Sequence, residues 1–204
     1  MGMTCSLHRA AESDVARLLA DQAALAEFLD PDDGSAPRVR EVRPKGILGW
    51  LLRLTPITIS EVDPESAEDA PYRPPDPDRS VDIEKAWHGL HFLLTGTADE
   101  GEEPACFLLR GGEDLDDEGL VRALRPGQVR RFSAHLSAIE AGDLARRYDP
   151  ERMTGLGIYP DVIWKRTVEQ GQSPLEWLVA CFEDVRRFVG NAAAVGDCVI
   201  ITIS

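Results

Sequence analysis

The sequence predicts one α/β domain over residues 1–204, a three-layer α/β/α sandwich with a small mixed sheet. Two observations predict this fold. Short apolar runs with strand character alternate with segments whose apolar residues recur at the helical period. The closing run, residues 198–203, is apolar on both faces, which is typical of a central strand covered by helices on each side. With 204 residues, the chain can bury a full hydrophobic core.

The first elements are a short strand within residues 1–8 and a helix. Ser13 is placed to cap this helix, because its side chain can accept a hydrogen bond from the first turn. Apolar residues then recur near the helical period as far as Leu29, and the turn-forming residues 31–34 end the helix.

An acidic, proline-rich insertion is expected at about residues 35–79. Within it, residues 46–54 could form a short amphipathic helix and residues 57–59 an edge strand. Residues 61–79 contain seven carboxylates and five prolines, a composition that favours an extended surface loop or a disordered segment.

The most regular helix is expected over residues 82–96. Ser80 or Asp82 can cap its start, and Gly96 can end it in the left-handed conformation. Its inner stripe follows the helical spacing and combines apolar side chains with one imidazole. The members of this stripe are Ile83, Trp87, Leu90, His91 and Leu94.

The second half of the chain adds strands and several helices. Residues 105–110 predict a buried strand that ends at a Gly-Gly turn, and residues 120–124 predict another strand. Pro126 suits the first turn of a helix, Asp149 with Pro150 suits the start of a short one, and residues 173–176 carry the serine and glutamate of a capping box.

Several of these segments resemble the YfbM-like family, a bacterial domain family without an assigned function. The resemblance is carried by the helix sequence from Asp82 to Thr97, by the start Met1-Gly2-Met3 and by the triplet Ile158-Tyr159-Pro160. The chain departs from the family pattern in its insertion and at His88, where the pattern has no histidine. The resemblance implies an α/β/α sandwich fold and no particular reaction.

Charge excludes some partners. The formal net charge of -14 repels phosphate backbones and anionic lipid headgroups, so we expect neither nucleic acid nor a membrane as a partner. The charge is uneven, because residues 99–118 carry nine carboxylates and one arginine, whereas residues 122–166 carry nine basic and five acidic side chains. Both stretches are interpreted mainly as solvated surface, and a local anion site in the second remains open.

The four cysteines are scattered and form neither a CxxC motif nor a zinc-binding spacing. The sequence shows no signal-peptide pattern and no apolar run long enough to span a membrane. We therefore expect a cytoplasmic protein with reduced thiols, no metal site and no cofactor.

His91 is the candidate catalytic residue, because it is a titratable ring within an apolar stripe. It is interpreted either as a hydrogen-bonded core histidine or as an acid or base in a cleft beside the helix 82–96. In the second case Trp87, Thr95 and Tyr159 would complete a binding site. Trp87 is also explained as a core anchor, and Lys85 as a solvated residue on another face.

Other chemistry finds little support. His88 and His91 are three residues apart and could share a metal ion, but no third ligand is visible. The glycine pairs at 111–112 and 155–157 match no phosphate-binding motif, and no nucleophile elbow is present.

Two hypotheses follow. The first is a non-catalytic binding domain whose acidic surface and insertion contact a protein partner, in particular a basic one. The second is an enzyme of unknown reaction that uses His91. The oligomeric state is not determined by the sequence.

Overall fold

The computed structural model describes residues 2–29, 79–166 and 173–204. The chain divides into two compact units, one of Met1–Leu25 with Pro75–Ser204 and the other of Ala26–Pro74. The short helix and edge strand expected within residues 46–59, and all but the last residue of the insertion, lie outside the described residues. The fold described below is that of the first unit.

Five strands of the described residues form one sheet, in the order β2-β1-β5-β4-β3. All neighbouring strands in it are antiparallel, so the predicted mixed sheet is wrong for these strands. Alternation of strands and helices was the basis of that prediction, and long connections between antiparallel strands produce the same alternation. The strands are β1 (Cys5–Ala10), β2 (Ser80–Asp82), β3 (Glu113–Asp114), β4 (Val121–Leu124) and β5 (Cys198–Ile203).

The closing strand is central, as predicted. β5 pairs with β1 on one side and with β4 on the other. Ile201 lies opposite Leu7 and packs into the main core, whereas its neighbour Ile200 points to the opposite face and is also fully buried. Both faces of β5 are therefore shielded from solvent, which explains its continuous apolar sequence.

The helices follow the predicted order with some changes at their ends. Pro126 and Pro174 lie in first turns, and the Asp149 carboxylate accepts a hydrogen bond from the Arg152 N–H at 3.0 Å. Ser173 forms no side-chain cap, so that part of the predicted capping box is wrong. The helices are α1 (Glu12–Ala20), α2 (Gln22–Leu29), α3 (Ala86–Thr95), α4 (Pro126–Ser137), α5 (Ala141–Arg147), α6 (Pro150–Gly155) and α7 (Pro174–Val195), with a 3₁₀ turn at Asp161–Ile163.

The single helix expected near the N-terminus is two helices, α1 and α2. Asp21 separates them, because its carboxylate accepts hydrogen bonds from the N–H groups of Ala23 at 2.9 Å and Ala24 at 3.3 Å. These bonds satisfy the free donors of a new first turn, so a second helix starts there.

The helix expected over 82–96 is shorter than predicted. Ser80–Asp82 is strand β2, which pairs with β1, and the helix begins at Ala86. Between them, Glu84 has a φ of 47° and its N–H donates to the Asp82 carboxylate at 2.7 Å. Gly96 ends the helix in the left-handed conformation, as predicted.

The prediction of a buried strand at residues 105–110 is wrong. These residues form successive turns, in which the N–H groups of Leu109 and Arg110 donate to the Cys106 carbonyl. The side chains of Cys106, Phe107 and Leu108 are buried. The Arg122 guanidinium donates to Leu108 O at 2.9 Å and, just beyond these residues, to Gly111 O at 3.1 Å, in place of a neighbouring strand.

Gly89 allows α3 to pack closely against its neighbours. A Cβ atom at this position would lie 2.6 Å from Cη2 of Trp164 and 2.9 Å from Cδ2 of Leu178 on α7. Trp164 is fully buried and its indole N–H donates to Ile158 O, so its ring is held in place. The glycine is therefore explained by packing, although glycine is a poor helix former.

We expect Gly89→Ala to lower the free energy of unfolding by about 1 kcal/mol, because overpacking outweighs the gain in helix propensity. Gly190→Ala in α7 is the matched control, since the nearest atom to its added Cβ is Ser133 Oγ at 4.0 Å. Urea denaturation should show the control as stable as the parent chain, or more stable. Equal stability of the two variants would contradict this account of α3 packing.

Candidate functional site

Helix α3 carries most of the residues singled out by the sequence. Trp87 is 5% exposed and His91 is 0% exposed, so both rings face the interior, with Trp87 in the main hydrophobic core. His88 is half-buried beside them. The inward stripe follows from the helical spacing of these residues.

Both ring nitrogens of His88 are bonded to main-chain groups. Its Nδ1 accepts the N–H of Tyr159 at 2.9 Å, and its Nε2 lies 2.8 Å from the Ala98 carbonyl oxygen. Because an amide can only donate and a carbonyl can only accept, His88 is the neutral tautomer with its proton on Nε2. Burial, its largest influence, lowers the pKa of His88, which favours the same neutral form.

His91, one turn further along α3 than His88, also bonds to the loop that follows this helix. Its Nε2–H donates to the Glu100 carbonyl oxygen at 3.0 Å, and its Nδ1 is buried without a partner among the described residues. Burial lowers the pKa of His91 to about 4. At neutral pH, the ring is therefore uncharged and closed to solvent.

Thr95, the last residue of α3, also contacts the loop that follows the helix. Its hydroxyl donates to the His91 carbonyl at 2.8 Å and lies 3.1 Å from the Thr97 hydroxyl. The Thr97 hydroxyl in turn donates to the Glu100 carbonyl. Thr95 and His91 thus act together in fixing the chain that follows α3.

Tyr159 lies at the other end of α3. Its ring stacks on Trp87 with a centroid distance of 6.0 Å, and Trp87 also stacks on His88 at 4.9 Å. The structure therefore separates the four predicted binding residues into two pairs, His91 with Thr95 and Trp87 with Tyr159, and His88 links the two regions.

The family model described as a domain of unknown function, DUF1877, matches residues 1–202 of the chain. The chain belongs to the DUF1877 family. The YfbM-like resemblance seen in the sequence is therefore confirmed, and with it the absence of an assigned function for the family.

Two comparisons with YfbM of Escherichia coli agree with this family. Protein YfbM of strain K12 is 26% identical over 96 residues, which make up 45% of the chain and 58% of that relative. The chain thus matches little more than half of the relative's length. The crystal structure of YfbM, titled a protein of unknown function, has a TM-score of 0.63 at 16% identity and covers 98% of this chain and 99% of its own. This likeness shows the fold.

Thiol chemistry has no support in this DUF1877 domain. All four cysteines are free, and burial raises the pKa of each thiol, to about 12 for Cys5 and Cys181. Thiols with raised pKa values are poor nucleophiles at neutral pH.

Arg122 is the residue that the sequence analysis missed. It lies on the core-facing side of β4, is 3% exposed, and donates to carbonyl groups of residues 107–111. None of the described carboxylates forms an ion pair with it. A buried arginine needs several acceptors, and main-chain carbonyls supply them here, so no sequence signal marks its role.

Two further observations concern the described residues of this DUF1877 domain. They contain no group of three or more His, Cys, Asp or Glu side chains placed to hold a metal ion. None of the helices among residues 2–29, 79–166 and 173–204 is long and apolar enough to cross a membrane.

We expect the stability of the domain to fall between about pH 6.5 and 4, partly through His91. An unfolded histidine has a pKa of about 6.5, so in this range the unfolded chain binds a proton that folded His91, with a pKa of about 4, does not. The contribution lost at the acidic end is on the order of 3 kcal/mol, and above about pH 6.5 His91 adds no pH dependence.

His91→Gln keeps a donor for the Glu100 carbonyl and cannot titrate. Chemical denaturation at about pH 7 and about pH 4.5 should show a shallower loss of stability for this variant than for the parent chain. The same pH dependence in both proteins would show that His91 is not a buried neutral ring.

Proposed function

We propose that this domain is a non-catalytic binding domain that contacts a basic protein partner through its acidic segment, residues 99–118. The observation that carries the proposal is that side chains of the fold hold this segment from within. The carbonyl of Glu100 accepts from His91, and those of Leu108 and Gly111 accept from Arg122. A surface fixed before binding loses less entropy when a partner arrives.

Several carboxylates of this segment are available to a partner. Asp99, Glu103 and Glu113 form ion pairs with nearby arginines. The other exposed carboxylates of the segment form no ion pair with a described residue, so their charge faces solvent. They are Glu100, Glu102, Asp114, Asp117 and Glu118.

The geometry favours binding over the alternative of an enzyme that uses His91. A general base must reach a substrate proton and have a pKa near the working pH. His91 has no solvent exposure, and its pKa is near 4. Both His88 ring nitrogens are occupied by main-chain groups.

Three broader expectations belong to this proposal. A cytoplasmic location is supported by four free cysteines. Helix layers on both sides of the sheet are supported by the burial of both faces of β5. One domain over residues 1–204, with an insertion at about 35–79, is supported by the family match over residues 1–202.

The proposal predicts that neutralising four acids of the segment will weaken partner binding at least tenfold, because long-range attraction to a basic surface is lost. The variant is Glu100→Gln, Glu102→Gln, Asp117→Asn and Glu118→Gln. Affinity purification from source-cell extract, with mass spectrometry and then titration of the identified partner, measures the effect. Binding to the parent chain should weaken as salt is raised.

The matched control neutralises four other exposed acids that have no ion pair with a described residue. The control changes the net charge by the same amount as the acidic-segment variant does, and we expect it to bind the partner as the parent chain does. Equal loss in both variants would indicate an effect of total charge, and unchanged binding in the acidic-segment variant would contradict the proposal. The control substitutions are Glu12→Gln, Glu140→Gln, Asp161→Asn and Glu176→Gln.

A further inference from the structure

The imidazole of His88 connects helix α3 to two separate parts of the chain. Its Nδ1 accepts the N–H of Tyr159, and its Nε2–H donates to the carbonyl oxygen of Ala98. A charged ring keeps the proton on Nε2 and gains a second one on Nδ1. The bond to Ala98 is therefore compatible with both charge states of His88, whereas the bond from Tyr159 requires the neutral ring.

The residue before Tyr159 is held by bonds that do not involve an imidazole. The N–H of Ile158 donates to Met153 O at 2.9 Å, and its carbonyl oxygen accepts the indole N–H of Trp164 at 2.6 Å. The side chain of Ile158 is also fully buried. A change at His88 can thus release Tyr159 while Ile158 stays in place.

Protonation of His88 places two donors opposite each other. The ring nitrogen Nδ1 and the main-chain nitrogen of Tyr159 are 2.9 Å apart, and with a hydrogen on both nitrogens no acceptor remains between them. The N–H of Tyr159 must then turn away from the ring. Its side chain, which stacks on Trp87 at 6.0 Å, loses the main-chain bond that holds it beside α3.

The charged and titratable groups near His88 lie on α3 and on the two loops that it contacts. Burial, the largest influence, lowers the pKa of His88, whereas its bond to a main-chain carbonyl and the carboxylate of Asp99 raise it. Asp99 lies on the loop after α3 and pairs with Arg110. On α3 itself, His91 has a pKa of about 4, and the second loop contributes the phenol of Tyr159. Because the pKa of His88 is lowered, its ring becomes charged below the ordinary histidine value of about 6.5.

We propose that His88 is a pH-dependent switch that holds Tyr159 beside α3 when the ring is neutral and releases it when the ring is charged. Above about pH 6.5 the contact is complete, and acidification removes it while the bond to Ala98 remains. Proton binding and the Tyr159 contact oppose each other, so a ligand that binds the released form also favours the charged ring. The switch lies outside the acidic segment, so it does not depend on the proposed function.

Amide hydrogen exchange tests the switch, measured from neutral pH down to the pH at which His88 is charged. After correction for the intrinsic exchange rates, the Tyr159 amide should lose roughly tenfold more protection than the Ile158 amide, which is the effect of one hydrogen bond. Long-range ¹H–¹⁵N spectra should show His88 gaining a proton on Nδ1 with the same midpoint. The indole N–H signal of Trp164 should persist, because the fold around Ile158 stays intact.

Two variants separate this switch from other titrations. His88→Asn offers an amide oxygen to the Tyr159 N–H and cannot titrate, so the protection of Tyr159 should no longer depend on pH. His91→Gln removes the other imidazole near Tyr159 on α3 and should keep the transition of the parent chain.

Three results would overturn the proposal. They are unchanged protection of Tyr159 when His88 is charged, the parent transition in His88→Asn, and loss of the Trp164 indole signal together with the protection of Tyr159. The last result would mean that the whole domain unfolds. If His88→Asn does not fold, the two midpoints in the parent chain decide, because the proposal requires them to coincide.

Discussion

The acidic segment depends on hydrogen bonds that buried side chains donate to main-chain carbonyls. His91 donates to Glu100 O, and Arg122 donates to the carbonyls of Leu108 and Gly111. Just before the segment, His88 donates to Ala98 O. Most of the segment lies outside regular strands and helices, so these side chains satisfy polar groups that a sheet would otherwise satisfy. Its apolar residues can then turn inward while its carboxylates remain in solvent.

Both ring nitrogens of His88 and Nε2 of His91, which an enzyme could use to move protons, are already bonded to main-chain groups. A ring nitrogen that accepts an amide N–H cannot take up a substrate proton without losing that bond, and a ring without solvent exposure cannot meet a substrate. The imidazoles of α3 therefore serve to position a surface.

The features that the sequence predicted well are those decided locally. The apolar composition of β5 indicated a central strand, Pro126, Asp149 and Gly96 marked helix ends, and the sequence of α3 indicated the family. Each depends on neighbouring residues or on a pattern along one element.

Three features that the sequence did not predict are decided by distant partners. Residues 105–110 have the composition of a strand, but Arg122, on β4, bonds their carbonyls and holds them in turns. Ser80–Asp82 could cap a helix, but β1 offers a pairing edge. The spacing of His88 and His91 showed which face each ring occupies, but not that each would bond to a main-chain carbonyl ten or nine residues further on.

The protonation of the two imidazoles of α3 tests this account most directly. Long-range ¹H–¹⁵N spectra of the folded protein at neutral pH distinguish the two neutral tautomers from the charged ring. The account predicts that His88 and His91 are both neutral with the proton on Nε2. A charged His88 would contradict it, because its Nδ1 could not then accept the Tyr159 N–H. A proton on Nδ1 in place of Nε2 would remove the bond from His88 to Ala98 or from His91 to Glu100, and a charged His91 would contradict its lowered pKa of about 4.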